Sequence, residues 1–375
     1  MKWFSGLLIA LFLTVSSAHA SQVGETGGAF LGGPTSVGKE LSEASEVDSV
    51  NALGLGEFRA RLIDQHGLAV SADYATLYQY ADDSLTGADN GLGGVLRLYG
   101  RWTLVGRGTG HAGTLIARVE YRHHLSGDVA PGRLAPELGY HGVAGLGFTD
   151  VGVFLAPFYW EQFFAAGHLG VVAGRLDPID FTDILGVGTQ WSSFQNAAVL
   201  SNLSIAAPDL GCGAGVGFRV SDQWVIGTTV HDANGEQTEF NCFEGTLRLF
   251  EQAHVSWAPT RARRFTNALR LTLWHQDERP AIKLEESYGV ATSANWTVNG
   301  RWMPFFRWGL SEGDAPQARQ QLTTGVMLSI PGRSDHLGVG AWWQDLSHRD
   351  LHDQSGMEVF YRWELIPNLA ITPSI

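Results

Sequence analysis

Apolar and polar residues alternate with a period of two over most of this chain, and the alternation is clearest near its C-terminal end. In residues 357–365 one face of a strand would carry Val359, Tyr361, Trp363 and Leu365, and the other face Glu358, Phe360, Arg362 and Glu364. A face of large apolar residues backed by charges is unusual for a soluble sheet. It is typical of a strand with lipid on one side and water on the other.

The same alternation predicts fifteen strands after residue 67. Their bounds are 68–80, 94–105, 114–123, 151–158, 169–175, 213–220, 224–232, 244–257, 267–276, 287–298, 302–311, 322–330, 335–345, 357–365 and 369–375. Residues 158–164 fit either a short helix or an extension of their strand. Phe58, Leu62 and Ile63 predict a short helix that ends at Gly67. So many strands without a long helix predict an all-β fold, a transmembrane antiparallel barrel.

Arginine side chains gather on one face of these strands, which is therefore predicted to be the inner face. A charged side chain on the lipid face near the midplane costs roughly 2–4 kcal/mol, so a barrel must turn its charges inward. The predicted pore-lining residues of the wall are Arg97, Tyr99, Arg101, Arg118, Glu120, Arg219, Arg248, Arg270, Arg307, Glu358, Arg362 and Glu364. The alternative is that these are the exposed faces of a soluble β-sandwich.

Short and long connections alternate along the chain, as in barrels with short periplasmic turns and long outer loops. The connection from residue 176 to residue 212 is long enough to fold inward and narrow the pore. Its candidate pore residues are Asp177, Asp180, Asp183, Gln190, Trp191, Phe194 and Asn196.

Targeting signals divide the chain into three parts. Residues 1–20 carry Lys2, an apolar run and Ala18-His19-Ala20, the pattern of a cleavable secretory signal peptide. Residues 21–55 are predicted to be a flexible periplasmic segment, and residues 56–375 the barrel domain. No later segment offers the about 18 consecutive apolar residues of a membrane helix. Export and a strand-built barrel together predict the outer membrane of a Gram-negative cell.

Composition narrows the possible functions. The net charge of −13 argues against nucleic acid as a partner, and 13 tryptophans and 47 glycines suit aromatic girdles and tight turns. No glycine-rich nucleotide loop followed by lysine is present, so transport would be passive and without a cofactor. The two cysteines, Cys212 and Cys242, would both lie on the outer side, where a disulfide is the default and a metal site is not expected.

Several short motifs, in order, resemble the carbohydrate-selective porin (OprB) family. They are Gly67-Leu-Ala-Val-Ser-Ala-Asp-Tyr74, Gly93-Gly-Val-Leu-Arg-Leu-Tyr-Gly100, Ala173-Gly-Arg-Leu-Asp-Pro178 with Arg175, Phe194-Gln-Asn196, Ala207-Pro-Asp-Leu-Gly211, His231-Asp-Ala-Asn-Gly235 and Glu358-Val-Phe-Tyr-Arg-Trp363. The resemblance implies a barrel of 16 strands, a pore narrowed by an inward-folded loop, and diffusion of glucose or other sugars. Arg175 joins the candidate pore residues on this basis.

Two features depart from that family pattern. Only fifteen strands are predicted, and the sequence ends at Ile375 without a terminal aromatic residue. If residues 366–368 form a periplasmic turn, the last strand runs outward and cannot close the barrel. The sequence is therefore expected to be a fragment that lacks the closing strand.

A sugar pore needs hydrogen bonds and ring stacking, because a neutral sugar gains nothing from net charge. Arginine, carboxylate and aromatic side chains supply these contacts. The expected partners are sugars, outer-membrane lipid, the barrel-assembly machinery and further copies in a homotrimer. One alternative is a non-specific or anion-preferring porin, because inward arginines attract anions. A lesser one is an outer-membrane protease that uses Asp82, Asp83, His231 and Asp232.

Overall fold

The protein was analysed as a computed structural model, which describes residues 8–17, 58, 60–183, 185–348, 350–366 and 369–375. In these residues sixteen antiparallel strands form one closed barrel, in which consecutive strands pair and the first strand also pairs with the last. The strands are β1 Leu8–Ser17, β2 Leu68–Ala81, β3 Asn90–Val105, β4 Gly113–Gly127, β5 Gly152–Phe164, β6 Leu169–Leu176, β7 Gly211–Arg219, β8 Trp224–Asp232, β9 Leu249–Trp257, β10 Asn267–Gln276, β11 Ser287–Trp296, β12 Trp302–Glu312, β13 Ala318–Ser329, β14 His336–Leu346, β15 Gln354–Ile366 and β16 Leu369–Ser374.

All fifteen strands predicted from the alternation are present as β2 to β16, which confirms the fold class. The bounds of β8 and β10 agree with the prediction at both ends. The segment 158–164 is the continuation of β5 and not a helix. Apart from this extension of β5, the largest difference is in β9, which begins at Leu249 and not at residue 244, because its ladder with β8 ends at the pair Asp232 and Leu249.

The first strand occupies the position that the fifteen others leave open. With an odd number of strands β2 and β16 run in the same direction, so one further strand can lie antiparallel to both. β1 does so: the backbone of Leu13 pairs with Thr76 on one side and with Ile371 on the other. The expected gap at the closure of the barrel is thus filled by residues 8–17.

That position falls within the predicted signal peptide. Its residues 1–7 and 18–20, and the predicted periplasmic segment 21–55, lie outside the described residues. Unlike the other strands, the sequence of β1 is apolar at nearly every position.

In the part of the chain that the structure describes, helical structure is confined to short pieces. The predicted helix before β2 is confirmed as Leu62–His66; Gly67 ends it with a φ of 68°, and its N–H donates to the carbonyl of Ile63. The others are Pro131–Arg133, Leu134–Glu137, Ala165–Gly167, Pro178–Asp180, Ala197–Leu200, Arg261–Arg263 and Pro280–Ile282. Within the described residues, no helix has the length and apolar character to cross a membrane.

The two faces of the wall differ in polarity as the alternation requires. On β10, Leu269, Leu271 and Leu273 point outward and are exposed, whereas Arg270 and Thr272 are buried on the inside. Tryptophan side chains gather at the short-turn ends of the strands, where the rings of Trp257 and Trp296 stack with centroids 6.0 Å apart. An apolar outer belt edged by aromatic rings suits a lipid bilayer.

Candidate functional site: the lumen and its inward-folded loop

The connection between β6 and β7 folds into the barrel and is here called the inward loop, residues 177–210. Its docking confirms the loop expected from the sequence. The Glu358 carboxylate on β15 accepts hydrogen bonds from the backbone N–H groups of Gln195 (2.7 Å) and Asn196 (3.0 Å). On β13, the Gln321 side-chain amide donates to the carbonyl of Ala198 at 2.9 Å. The wall therefore satisfies backbone groups of the loop that water cannot reach.

An ion pair fixes a second point of the inward loop. Arg307 on β12 lies 2.8 Å from Asp183, measured from Nε to Oδ2, and both side chains are almost completely buried. Arg307 also donates to the carbonyl of Val199. Because a buried charge without a partner is costly, this pair ties the first half of the loop to the wall.

Two aromatic residues of the inward loop serve as anchors. The Phe194 ring packs edge-on against Phe360 with centroids 4.8 Å apart, and Trp191 lies 5.3 Å from Phe148. Phe194 is fully buried and Trp191 nearly so. This differs from the expectation that they line the pore. Phe305 on β12 and Phe360 on β15 bury Phe194, whereas Leu77 on β2, Val95 on β3 and Phe148 bury Trp191.

An outer loop also reaches the inward loop. The Tyr140 hydroxyl donates to the Asn196 Oδ1 at 3.1 Å, and the same oxygen accepts from the N–H of Ala198 at the start of the helical turn Ala197–Leu200. Burial raises the pKa of Tyr140 to about 12, so this hydroxyl stays protonated at neutral pH. Asn196 thus positions loop segments and is not a freely exposed pore residue.

Arginines and carboxylates of β2, β3 and β4 neutralise one another on the inner wall. Arg97 binds Asp73 through two hydrogen bonds of 2.7 and 2.9 Å. Glu120 lies between Arg118 at 2.8 Å and Arg122 at 2.6 Å. These side chains are held in place by their partners, so the wall presents donors and acceptors in fixed positions.

The inward loop approaches this charged wall from the opposite side. The guanidinium of Arg97 lies 4.1 Å from the centroid of the Trp191 ring, within the range of a cation–π contact. Arg118 lies 3.8 Å from the Asp177 carboxylate. Burial raises the pKa of Asp177, and Arg118 opposes this shift. The predicted residues Arg97, Arg118, Glu120, Asp177 and Trp191 thus meet in one region.

Two further predicted pore residues contact this region, because the Tyr99 ring lies 5.4 Å from the Arg97 guanidinium and Arg362 donates to the carbonyl of Trp191 at 3.4 Å. The others are spread along the wall. Arg101 lies 3.9 Å from the Glu161 carboxylate. Arg248, at the outer ends of the strands, lies 3.1 Å from the Glu278 carboxylate. The rest of the set differs in exposure. The buried members are Tyr99, Asp180, Arg219 and Arg270, and the half-buried members are Gln190, Arg362 and Glu364.

Arg175 has a different role from the expected one. Its guanidinium donates to the carbonyls of Leu155, Glu236, Gln237 and Glu239, and the side chain is almost completely buried. It therefore organises the outer loop between β8 and β9. The disulfide between Cys212 and Cys242 ties down the same loop.

The residues proposed for a protease are not brought together. Asp82 and Asp83 follow β2, whereas His231 and Asp232 end β8, six strands along the wall. At about 4.8 Å per strand, that is on the order of 29 Å along the wall. Asp232 accepts hydrogen bonds from Asn234 and Phe243, which makes it a loop-capping residue. The protease hypothesis is wrong on this geometry.

Three inner residues of importance were missing from the candidates: Asp73, Arg122 and Gln321. Asp73 and Arg122 fall on the inner face of predicted strands by the same period of two, whereas Gln321 lies just before the predicted start of its strand at residue 322, which the structure extends to Ala318. Their partners lie on other strands or in the inward loop, and alternation alone does not reveal such partners.

A scan against protein-family models found no match, and a search of curated proteins found none either. The fold is similar to that of OprB from Pseudomonas putida, at 11% identity, a TM-score of 0.55, and coverage of 99% of this chain and 92% of the other. It is also similar to a mutant porin of Rh. blastica, at 13% identity, a TM-score of 0.50, and coverage of 82% and 98%. The chain therefore has the fold of porin β-barrels.

Proposed function

We propose that the chain is an outer-membrane porin through which carbohydrates diffuse passively. The porin fold and the apolar outer belt support a membrane channel and give no support to an enzyme. The sequence motifs resembling carbohydrate-selective porins support sugars as the substrates. Outer-membrane lipid, the barrel-assembly machinery and a homotrimer are the partners proposed with this function.

The observation that carries the proposal is the pairing of charges in the lumen. Asp73 with Arg97, and Glu120 with Arg118 and Arg122, place donors beside acceptors with little net charge. A neutral sugar gains no energy from net charge, but its hydroxyl groups can both donate and accept hydrogen bonds. A wall of paired charges therefore favours a sugar over a free ion.

Transport through such a wall requires weak binding. A pore conducts when each site holds the solute strongly enough to admit it and weakly enough to release it. The arginines and carboxylates are already bound to one another, so a sugar exchanges hydrogen bonds with them and gains only a small net energy. This favours rapid release without an energy source.

Single-channel recording in planar bilayers tests the proposal. Glucose or maltose is expected to reduce the conductance of the wild-type pore in a concentration-dependent way. Asp73→Asn removes the carboxylate from Arg97 and should weaken this block while raising the preference for anions. Glu286→Gln, at an exposed outer position, removes the same charge and should leave the block unchanged. The absence of any sugar block, together with strong anion selectivity in wild type, contradicts a sugar pore.

A further inference from the structure

A small pocket lies at the short-turn end of the lumen, beneath the inward loop. It is formed by the turn between β7 and β8, the turn between β9 and β10, and the loop residues Phe181 and Asp183. Four arginines line it: Arg219, Arg261, Arg264 and Arg270. We call it the arginine pocket.

The arginine pocket differs in charge balance from the rest of the lumen. Among the described residues, Arg219, Arg261 and Arg264 form no ion pair within 4.0 Å. Asp183 is already bound to Arg307, Asp222 acts on Arg219 at longer range, and Glu161 acts on Arg264. The pocket therefore holds an excess of positive charge.

Arg264 lies in the turn between β9 and β10, and its charged form is destabilised by the other arginines of the pocket. Burial, and then the neighbouring Arg270 and Arg261, lower the pKa of its guanidinium to about 9. The group is still protonated at neutral pH. A bound anion would remove part of the repulsion among the three arginines.

One buried donor points to a missing acceptor. Arg219 is only 6% exposed, and its Nε–H has no hydrogen-bond partner among the described residues. Buried polar groups in native proteins are almost always paired, and a guanidinium presents its donors in a fork that matches the oxygens of a phosphate or carboxylate. The Nε–H of Arg219 is therefore a donor that an oxyanion in the pocket can use.

The size of the pocket limits what can enter it. Its volume is about 40 Å³. One water molecule requires ~10–15 Å³ on the same scale, so the pocket holds about three water-sized groups. That is room for a phosphate or carboxylate group and too little for a sugar ring.

We propose that the arginine pocket binds a phosphate group at the inner mouth of the pore, either as inorganic phosphate or as the phosphate of a sugar derivative whose ring stays in the lumen. Binding of the sugar derivative rests on the proposed function; binding of inorganic phosphate does not. Arg219 and Arg264 are the principal ligands, and Arg261 and Arg270 supply the surrounding charge.

Single-channel recording of the full chain tests this site with three probes: inorganic phosphate, glucose 6-phosphate and glucose. Phosphate added on the short-turn side is expected to interrupt the wild-type current. Arg219→Gln combined with Arg264→Gln should weaken the apparent affinity about tenfold or more. Arg319→Gln removes an exposed arginine at the outer end and is the matched control, so its response should equal that of wild type.

A second measurement needs no variant and so does not depend on the folding of the double mutant. Deuterium labelling read by mass spectrometry locates backbone segments whose hydrogen exchange changes on binding. Inorganic phosphate is expected to slow exchange in the turns 220–223 and 258–266 of the wild-type protein, which line the pocket, and to leave the outer loop 277–286 unchanged.

The outcomes separate the two proposals. A wild-type current and a labelling pattern that do not respond to phosphate overturn the arginine pocket as a site, and so does an equal loss of response in Arg319→Gln. A response to inorganic phosphate that glucose 6-phosphate does not share supports the site and overturns its use by sugar derivatives. A phosphate response without any glucose block overturns the sugar pore and supports the site.

Discussion

The Glu358 carboxylate on β15 accepts a hydrogen bond from the backbone N–H of Gln195 in the inward loop, with 2.7 Å between Oε1 and N. Its second oxygen accepts from the next N–H of the loop at 3.0 Å. Gln195 and Asn196 are 3% and 8% exposed, so both N–H groups are shielded from bulk water. Glu358 is therefore one of the wall groups that hold the inward loop in the barrel.

Replacing Glu358 should widen the pore. Glu358→Gln keeps the shape but offers an NH₂ group to one of the two N–H donors. Leaving one buried donor unpaired costs roughly 1–3 kcal/mol, which loosens the docking of the inward loop. We expect a higher and noisier single-channel conductance. Glu286→Gln removes the same charge at an exposed outer position; a conductance change as large in this variant would contradict the assignment.

Removing Arg307 should release the first half of the inward loop. Arg307→Gln leaves the Asp183 carboxylate buried without its ion-pair partner. Such a change typically lowers the free energy of unfolding by about 3–5 kcal/mol. Limited proteolysis is expected to cut the loop in this variant and not in wild type. The double variant Asp183→Asn with Arg307→Gln removes both charges and should recover part of the resistance.

The control for this pair is exposed. Arg319 lies 2.8 Å from Asp345 at the outer rim, where water and salt screen the interaction. Arg319→Gln should therefore leave the loop resistant to protease. Equal sensitivity in both arginine variants would show that the effect is not specific to the inward loop.

The period of two was sufficient to place the strands and their inner faces. Lipid and water impose opposite polarity on neighbouring residues of each strand. The residue types of Arg270 and Leu271 therefore predict the inner and the outer face without any knowledge of distant contacts. The same reasoning placed Arg97, Arg118 and Glu358 inside. The odd number of predicted strands also required one more strand beside β2 and β16.

Contacts between the inward loop and the wall could not be predicted in this way. Trp191 and Phe194 lie in a stretch without periodicity, and their burial depends on apolar wall residues that are distant in sequence. Arg175 has the strand parity of the exposed Ala173 and pairs with Phe158, so it does not lie on the inner face, and three of the four carbonyls that it binds belong to a loop more than 60 residues away. Long-range pairs of this kind leave no local pattern.

The outer loop between β8 and β9 should depend on both of its tethers. Cys212→Ser with Cys242→Ser removes a cross-link that spans 30 residues. The greater entropy of the unfolded chain then lowers the free energy of unfolding by about 3–4 kcal/mol. We expect residues 233–248 to become accessible to protease while the barrel stays folded. Adding Arg175→Gln removes the carbonyl contacts and should increase the accessibility further. A loop that stays resistant in the triple variant would show that other contacts dominate.

The contact between two outer loops should weaken in acid. The rings of His141 and His348 meet edge to face with centroids 5.8 Å apart, and the backbone N–H of His141 donates to the Gln354 Oε1. Burial, followed by the proximity of His348, lowers the pKa of His141 below its usual 6.5. A histidine pKa that is lower in the folded state gives stability that is complete above about pH 6.5 and declines as the pH falls through the folded value.

Hydrogen exchange at the Gln354 region measures this effect. Protection should be constant at neutral pH and fall on acidification in wild type. His141→Phe keeps the ring contact without a titrating group, so its protection should no longer depend on pH in this range. His111→Phe, at an exposed position on the short-turn side, should retain the wild-type pH dependence. Equal pH dependence in wild type and His141→Phe would assign the effect to another group.

The strand that closes the barrel overlaps the predicted signal peptide, and the two assignments make opposite predictions for the mature protein. Cleavage after Ala20 removes β1 and leaves the backbones of β2 and β16 with open edges, which in a bilayer must be paired by another strand. Intact-mass measurement of protein extracted from the outer membrane decides between them. We expect the mature chain to start at Ser21. Ala20→Arg, which disrupts the small-residue cleavage pattern, should retain residues 1–20 and shift the mass accordingly; a wild-type mass that already starts at Met1 would instead assign β1 to the mature barrel.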